Sequence, residues 1–134
     1  MTEFITVPEN ERLDVLPTYF GKHMMEFEGL VFDFARALLK EYDGGFWEFV
    51  EIPGGMFMYP DSEKEYTVVS PNYAEYKLPC EYAGIVVTLC ALSHLSFSMY
   101  ERKEDPDNVS RFFYALRDFA FDGEYAKEIC ALID

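Results

Sequence analysis

Tyr42-Asp-Gly-Gly-Phe-Trp-Glu-Phe-Val-Glu-Ile-Pro-Gly-Gly-Met-Phe-Met-Tyr-Pro60 is the stretch that decides how this chain folds. Asp43-Gly44-Gly45 is a stop signal for a preceding helix, because glycine accepts the left-handed backbone that a helix C-terminus needs. Phe46 to Ile52 has the aromatic and β-branched content and the length of a strand. Pro53-Gly54-Gly55 predicts a turn, and Met56 to Tyr59 returns as a second strand. Pro60-Asp61-Ser62 closes the unit, which also holds Trp47, the chain's only tryptophan.

Working outward, Tyr66 to Ser70 and Tyr73 to Leu78 read as a second hairpin, turned at Ser70-Pro71-Asn72. Four short strands in succession predict a meander. On the N-terminal side, Phe27, Leu30, Val31, Phe34, Leu38 and Leu39 recur at helical spacing, which predicts a helix over about Met24 to Tyr42. Thr6 and Glu9 have capping-box spacing, so a first helix is expected from there to Leu16, ending before Pro17. On the C-terminal side, Glu81 to Tyr100 is apolar nearly all round and reads as the central buried helix. Asp105-Pro106 predicts the start of another, striped by Val109, Phe112, Phe113, Leu116, Phe119 and Ala120. Tyr125 to Ile133 predicts a last short helix. The expected class is α+β: a small antiparallel sheet of about three to four strands packed against four to five helices, as one domain over residues 1–134.

Composition limits function. Half of the 134 residues are hydrophobic, which is enough apolar surface for a packed core and excludes a disordered chain. The 25 acids against 11 bases give a net charge of −14, which repels phosphates and argues against nucleic acid or an anionic membrane as partner. Fourteen charges match only about 24 Å of duplex DNA, so a long DNA mimic is not supported. Tyr82 to Tyr100 has bilayer-spanning length, but Gly84, Thr88, Ser93, His94, Ser96 and Ser98 interrupt it, and a buried helix explains it better. The N-terminus lacks a basic, then apolar, leader pattern, and Cys80, Cys90 and Cys130 have no paired spacing. A cytoplasmic protein with reduced structural thiols is expected.

Chemistry is sparse. His23 and His94 lack neighbouring ligands, so no metal is expected, and His94 among Leu92, Leu95 and Phe97 reads as a hydrogen-bonded core histidine. A Cys80–His94 dyad has no local support. The glycine pairs fit neither a P-loop nor a dinucleotide fingerprint. Glu48 with Glu51, and Glu124 with Glu128, read as solvated faces. No cofactor and no catalytic residue is expected.

A further set of residues carries a resemblance: Arg12-Leu13, Leu16-Pro17 and Phe20-Gly21; then Tyr42, Gly44, Gly45, Trp47, Phe49, Gly55, Phe57 and Pro60; then Ala83-Gly84-Ile85, Leu89 and Ala91-Leu92; then Leu116-Arg117-Asp118, Ala120 and Ala131-Leu132-Ile133-Asp134. In this order and spacing they resemble the ArdB/KlcA antirestriction proteins of plasmids and other bacterial mobile elements, over most of the chain. The resemblance implies a compact α+β, non-enzymatic inhibitor of host type I restriction-modification that protects incoming DNA. Its partner would be a protein: the type I restriction complex or a host factor controlling it. Asp43, Arg117, Asp118 and Asp134 are the polar candidates for that contact. Trp47 is the aromatic one, expected to serve stability before binding. The alternative class is a small acidic secretion chaperone or immunity-type binding protein.

Overall fold

The computed structural model describes residues 4–134. The elements run α1 (Arg12–Phe20), α2 (Met24–Leu38), β1 (Trp47–Ile52), β2 (Gly55–Pro60), β3 (Glu65–Val69), β4 (Glu75–Pro79), α3 (Cys80–Glu101), α4 (Asp107–Phe121) and α5 (Ala126–Ile133). Short 3₁₀ turns at Glu9–Glu11 and Gly21–His23 lead into α1 and α2. The α+β class and the order of elements agree with the sequence. One continuous apolar core unites them.

Helix α3 is the centre. Its residues Tyr82 to Leu89 are buried without a break, as an all-round apolar helix demands. By length and composition it is apolar enough to cross a membrane, but 67% of its apolar window is buried inside the protein, so the core accounts for that character.

The hairpin β1–β2 lies against this helix. Its register pairs Trp47 with Pro60, Phe49 with Met58 and Ile52 with Gly55. The backbone N–H of Val7 donates to the Phe49 carbonyl at 2.8 Å from outside the sheet. Phe49 and Met58 therefore face each other at a non-hydrogen-bonded position, and both N–H and C=O of Met58 point away from β1. The Thr88 hydroxyl meets them: it accepts from Met58 N and donates to Met58 O, each at 3.2 Å. One turn earlier on the same helix face, Gly84 removes the side chain that would block this approach. A Cβ there would stand 2.2 Å from the Tyr59 Cβ and 2.5 Å from the Met58 carbonyl oxygen.

This contact corrects the expected meander. The four strands form two separate two-stranded sheets, β1–β2 and β3–β4. At Met58 the outer edge of β2 is taken by Thr88, so β3 does not pair there. The second hairpin finds other company. Helix α2 stops at Leu38, earlier than expected, because Leu39 turns extended and bridges to Val68. Glu41 then accepts hydrogen bonds from the backbone N–H and the hydroxyl of Thr67, both at 2.6 Å, and the Thr67 bonds hold its carboxyl below the usual range. Gly44 and Gly45, at φ of 95° and 112°, do not end the helix; they re-aim the chain into β1.

The N-terminus also departs from expectation. The Thr6–Glu9 capping box does not form: Val7 serves the β1 edge instead, and α1 starts only at Arg12. Pro17 lies inside α1. The Leu13 carbonyl that loses its partner belongs to a residue 91% exposed, so no desolvated polar group is left behind.

The corner before α2 is tied to the end of α3. Arg102 clamps Glu26 with two bonds of 2.9 Å and donates to Glu104 at 2.7 Å, and His23 Nε2 meets Glu104 at 3.1 Å. These bonds, from Arg102 first and His23 second, hold the Glu104 carboxyl down at about 2.

Two expectations follow. Gly84→Ala should lower unfolding stability by about 3 kcal/mol, since the clash is with β-strand backbone, and Thr88→Val by about 1–3 kcal/mol for two buried backbone groups left unpaired; urea titration measures both. Because the folded Glu104 pKa lies below the ordinary value of 4.5, its contribution is complete above that pH and is lost as pH falls toward about 2. Glu104→Gln should therefore show a lower urea midpoint than wild type at pH 6, with the gap closing through that window.

Candidate functional site

Three segments distant in sequence converge on one groove of about 400 Å³. Helix α1 supplies Arg12, Leu13, Leu16 and Pro17. Helix α2 supplies Met24, Glu28 and Phe32, spaced four apart on one face, together with Met25. The approach to β1 and the strand itself supply Gly45, Phe46, Trp47 and Phe49, and Met58 of β2 joins them. Many of these residues also carry the family resemblance: Arg12, Leu13, Leu16, Pro17, Gly45, Trp47 and Phe49.

Arg12 is the hinge pin of the site. Its guanidinium pairs with Glu48 at 2.9 Å, donates to the Trp47 carbonyl at 2.7 Å, and lies 4.2 Å over the Phe46 ring. These contacts lock the start of α1 to the hairpin and use up the cation's charge. Trp47 is 5% exposed; its indole N–H donates to the Tyr42 hydroxyl at 3.1 Å, and its ring stands edge-on to Phe32 and Tyr42. At the rim, Leu13, Met25 and Phe46 are 91%, 76% and 56% exposed. Large apolar side chains held in water around a groove mark a contact surface rather than a core.

The five candidates from the sequence do not assemble. Asp43 is exposed and pairs with Lys64 at 3.5 Å. Arg117 and Asp118 form a neighbouring pair on α4 at 3.6 Å, with Arg117 over the Tyr114 ring. Asp134 offers its backbone oxygen to the Asn72 side chain at 2.8 Å. Only Trp47 lines the groove. Among the described residues, no hydrogen bond, ion pair or ring contact joins Asp43, Trp47, the Arg117–Asp118 pair and Asp134. Leu13, Met25 and Phe46 are not legible as site residues, because nothing in local sequence separates an exposed apolar side chain from a buried one, and Glu28 does not stand out among the chain's 25 acids.

Catalytic arrangements fare differently from the groove. Cys80 and His94 lie on the same helix, 14 residues apart, which separates them by about 21 Å along its axis. The Cys80 thiol donates to the Ser62 carbonyl at 2.9 Å, and burial pushes its pKa up to about 11. His94, expected as a hydrogen-bonded core residue, is instead exposed on the outer face of α3, edge-on to Phe34. Three of the four acids read as solvated faces have structural partners: Glu48 holds Arg12, Glu51 accepts from the Tyr19 hydroxyl at 2.6 Å, and Glu124 accepts from Tyr82 at 3.2 Å. Burial, then Glu51, pushes the Tyr19 pKa up to about 12. Among the described residues, no three His, Cys, Asp or Glu side chains cluster as a metal site would require.

The profile of a family described as antirestriction protein matches residues 40–134. The chain belongs to that family. The resemblance seen in the sequence is thereby confirmed. The antirestriction protein KlcA of Escherichia coli is 36% identical over 131 residues, spanning 96% of this chain and 92% of KlcA. The protein YubI of E. coli strain K12 is 35% identical over 85 residues, which cover 63% of this chain and 60% of YubI. Among solved structures, one of the KlcA and ArdB proteins superposes with a TM-score of 0.86 at 33% identity, over 100% of this chain and 99% of that one. Those proteins are described as showing a novel fold and antirestriction activity against type I DNA restriction systems in vivo but not in vitro.

The two kinds of groove residue should separate in a urea titration. Trp47→Ala should cost about 3–5 kcal/mol as a buried aromatic truncation. Leu13→Ser should stay within about 0.5 kcal/mol of wild type, as an exposed substitution does.

Proposed function

We propose that this protein interferes with host type I restriction-modification and protects incoming mobile-element DNA, acting in the cytoplasm by protein–protein contact and without chemistry of its own. The observation that carries this reading is the full-length match to the KlcA and ArdB structure, whose proteins are active against type I systems in vivo but not in vitro. Activity confined to the cell fits dependence on a cellular component: the restriction complex in its cellular setting, or a host factor controlling it. A reagent sufficient by itself fits less well. The charge of −14 works against direct competition for DNA by binding it. The paired carboxylates and the thiol raised to about 11 support the absence of a catalytic role. The match along the whole chain favours this reading over a secretion chaperone or immunity-type binder, which would share only size, acidity and α+β make-up.

Unmodified phage plated on cells with an active type I system should form plaques at far higher efficiency when the protein is expressed, approaching that of modified phage. Plating efficiency unchanged by expression would contradict the proposal.

A further inference from the structure

We propose that the α1–α2–β1 groove receives an amphipathic helix of the partner protein, with the helix's apolar face in the groove and a lysine or arginine at its border meeting Glu28. The inference rests on the contact mode proposed above and adds the place and the chemistry of the contact.

Three observations carry it. First, most of the lining is aromatic rings, methionines and one arginine, the side chains enriched at the centres of protein interfaces, with Leu13, Leu16 and Pro17 adding to the apolar wall. Met24 and Met25 give one wall the flexible, polarizable surface that accommodates a helix face. Second, the charges in the groove are lopsided. Arg12 is neutralised by Glu48 at 2.9 Å, while Glu28 lines the groove and, among the described residues, has no ion pair or hydrogen bond. An incoming base would find a partner there, and an incoming acid would meet an unpaired carboxylate on a molecule of net charge −14. Third, recognition by strand addition is closed at this edge. The outward Phe49 carbonyl of β1 is already taken by the N–H of Val7 at 2.8 Å. A groove whose neighbouring strand edge is occupied binds through side chains, and an amphipathic helix presents those at i, i+3, i+4 and i+7.

The test uses the intact protein and a synthetic peptide of about 15 residues, made of leucine and lysine with the leucines at helical spacing. One control has the same composition in alternating order; another has glutamate for lysine. Trp47 is the chain's only tryptophan and lines the groove, so its emission reports occupancy, and the methyl resonances of Met24, Met25 and Met58 report it independently. The helical leucine–lysine peptide should bind saturably, shift those three resonances, and bind at least about tenfold more tightly than either control. Glu28→Lys should weaken it several-fold, whereas Glu63→Lys, on the loop between the two hairpins, should not. Leu13→Ser should weaken it about tenfold without unfolding the protein, Leu13 being 91% exposed. Unmoved methionine resonances, equal binding of the alternating isomer, or equal effects of the two charge reversals would overturn the inference. Phage protection retained by Glu28→Lys and Leu13→Ser variants that have lost peptide binding would refute the groove while leaving the antirestriction reading intact. Absent protection by wild type would count against that reading alone.

Discussion

The close approach of α3 to β2 is the constraint on which the rest depends. Gly84 lets the helix come so near the strand that a single methyl group would collide with Tyr59 and with the Met58 carbonyl. The reward is the Thr88 hydroxyl bonded to both backbone groups of Met58, deep in the core where unpaired polar groups are costly. Burial alone would hold α3 somewhere against the hairpin. The glycine and the threonine fix where, and so set the register of the central helix against the sheet.

Much follows from that placement. With β2 engaged by α3, the second hairpin cannot extend the first sheet at Met58 and instead recruits Leu39 and Glu41 at the end of α2. With the hairpin fixed, its other edge accepts Val7, and Arg12 reaches the Trp47 carbonyl and Glu48. Helix α1 is thereby seated beside β1, and the space between α1, α2 and the hairpin becomes the groove. The apolar rim of Leu13, Met25 and Phe46 is a consequence of satisfying backbone and charge elsewhere. It is also a surface that this small domain leaves in water.

The legible parts of the fold were those set by local rules. Glycine and proline placed the first hairpin within a residue or two, and all-round apolarity identified α3. The failures were non-local. Pro17 was read as a helix end, but its missing N–H is harmless on an exposed stretch. Thr6 and Glu9 have the spacing of a cap, but Val7 between them is claimed by Phe49 of a strand 42 positions away. Gly84 and Thr88 were visible as interruptions in an apolar helix, and only their meeting with β2 explains them. The site was legible in part for the same reason. Trp47 stood out by type, but its neighbours in the groove come from residues 12–17, 24–32 and 45–49, and no local pattern announces that convergence. His94 sits in an apolar stretch of sequence, but its face of the helix is not buried.

Membership in the antirestriction family gives these features a setting, and the proposed docking mode turns on whether the groove face is the one that meets a partner. The most direct measurement is restriction protection in cells by two double variants that keep the wild-type melt. One removes the groove rim, Leu13→Ser with Met25→Ser. The other removes exposed apolar side chains elsewhere, Tyr73→Ser with Phe97→Ser. The account predicts that the first loses protection of unmodified phage and the second retains it. Full protection by the first, or equal loss in both, would contradict it.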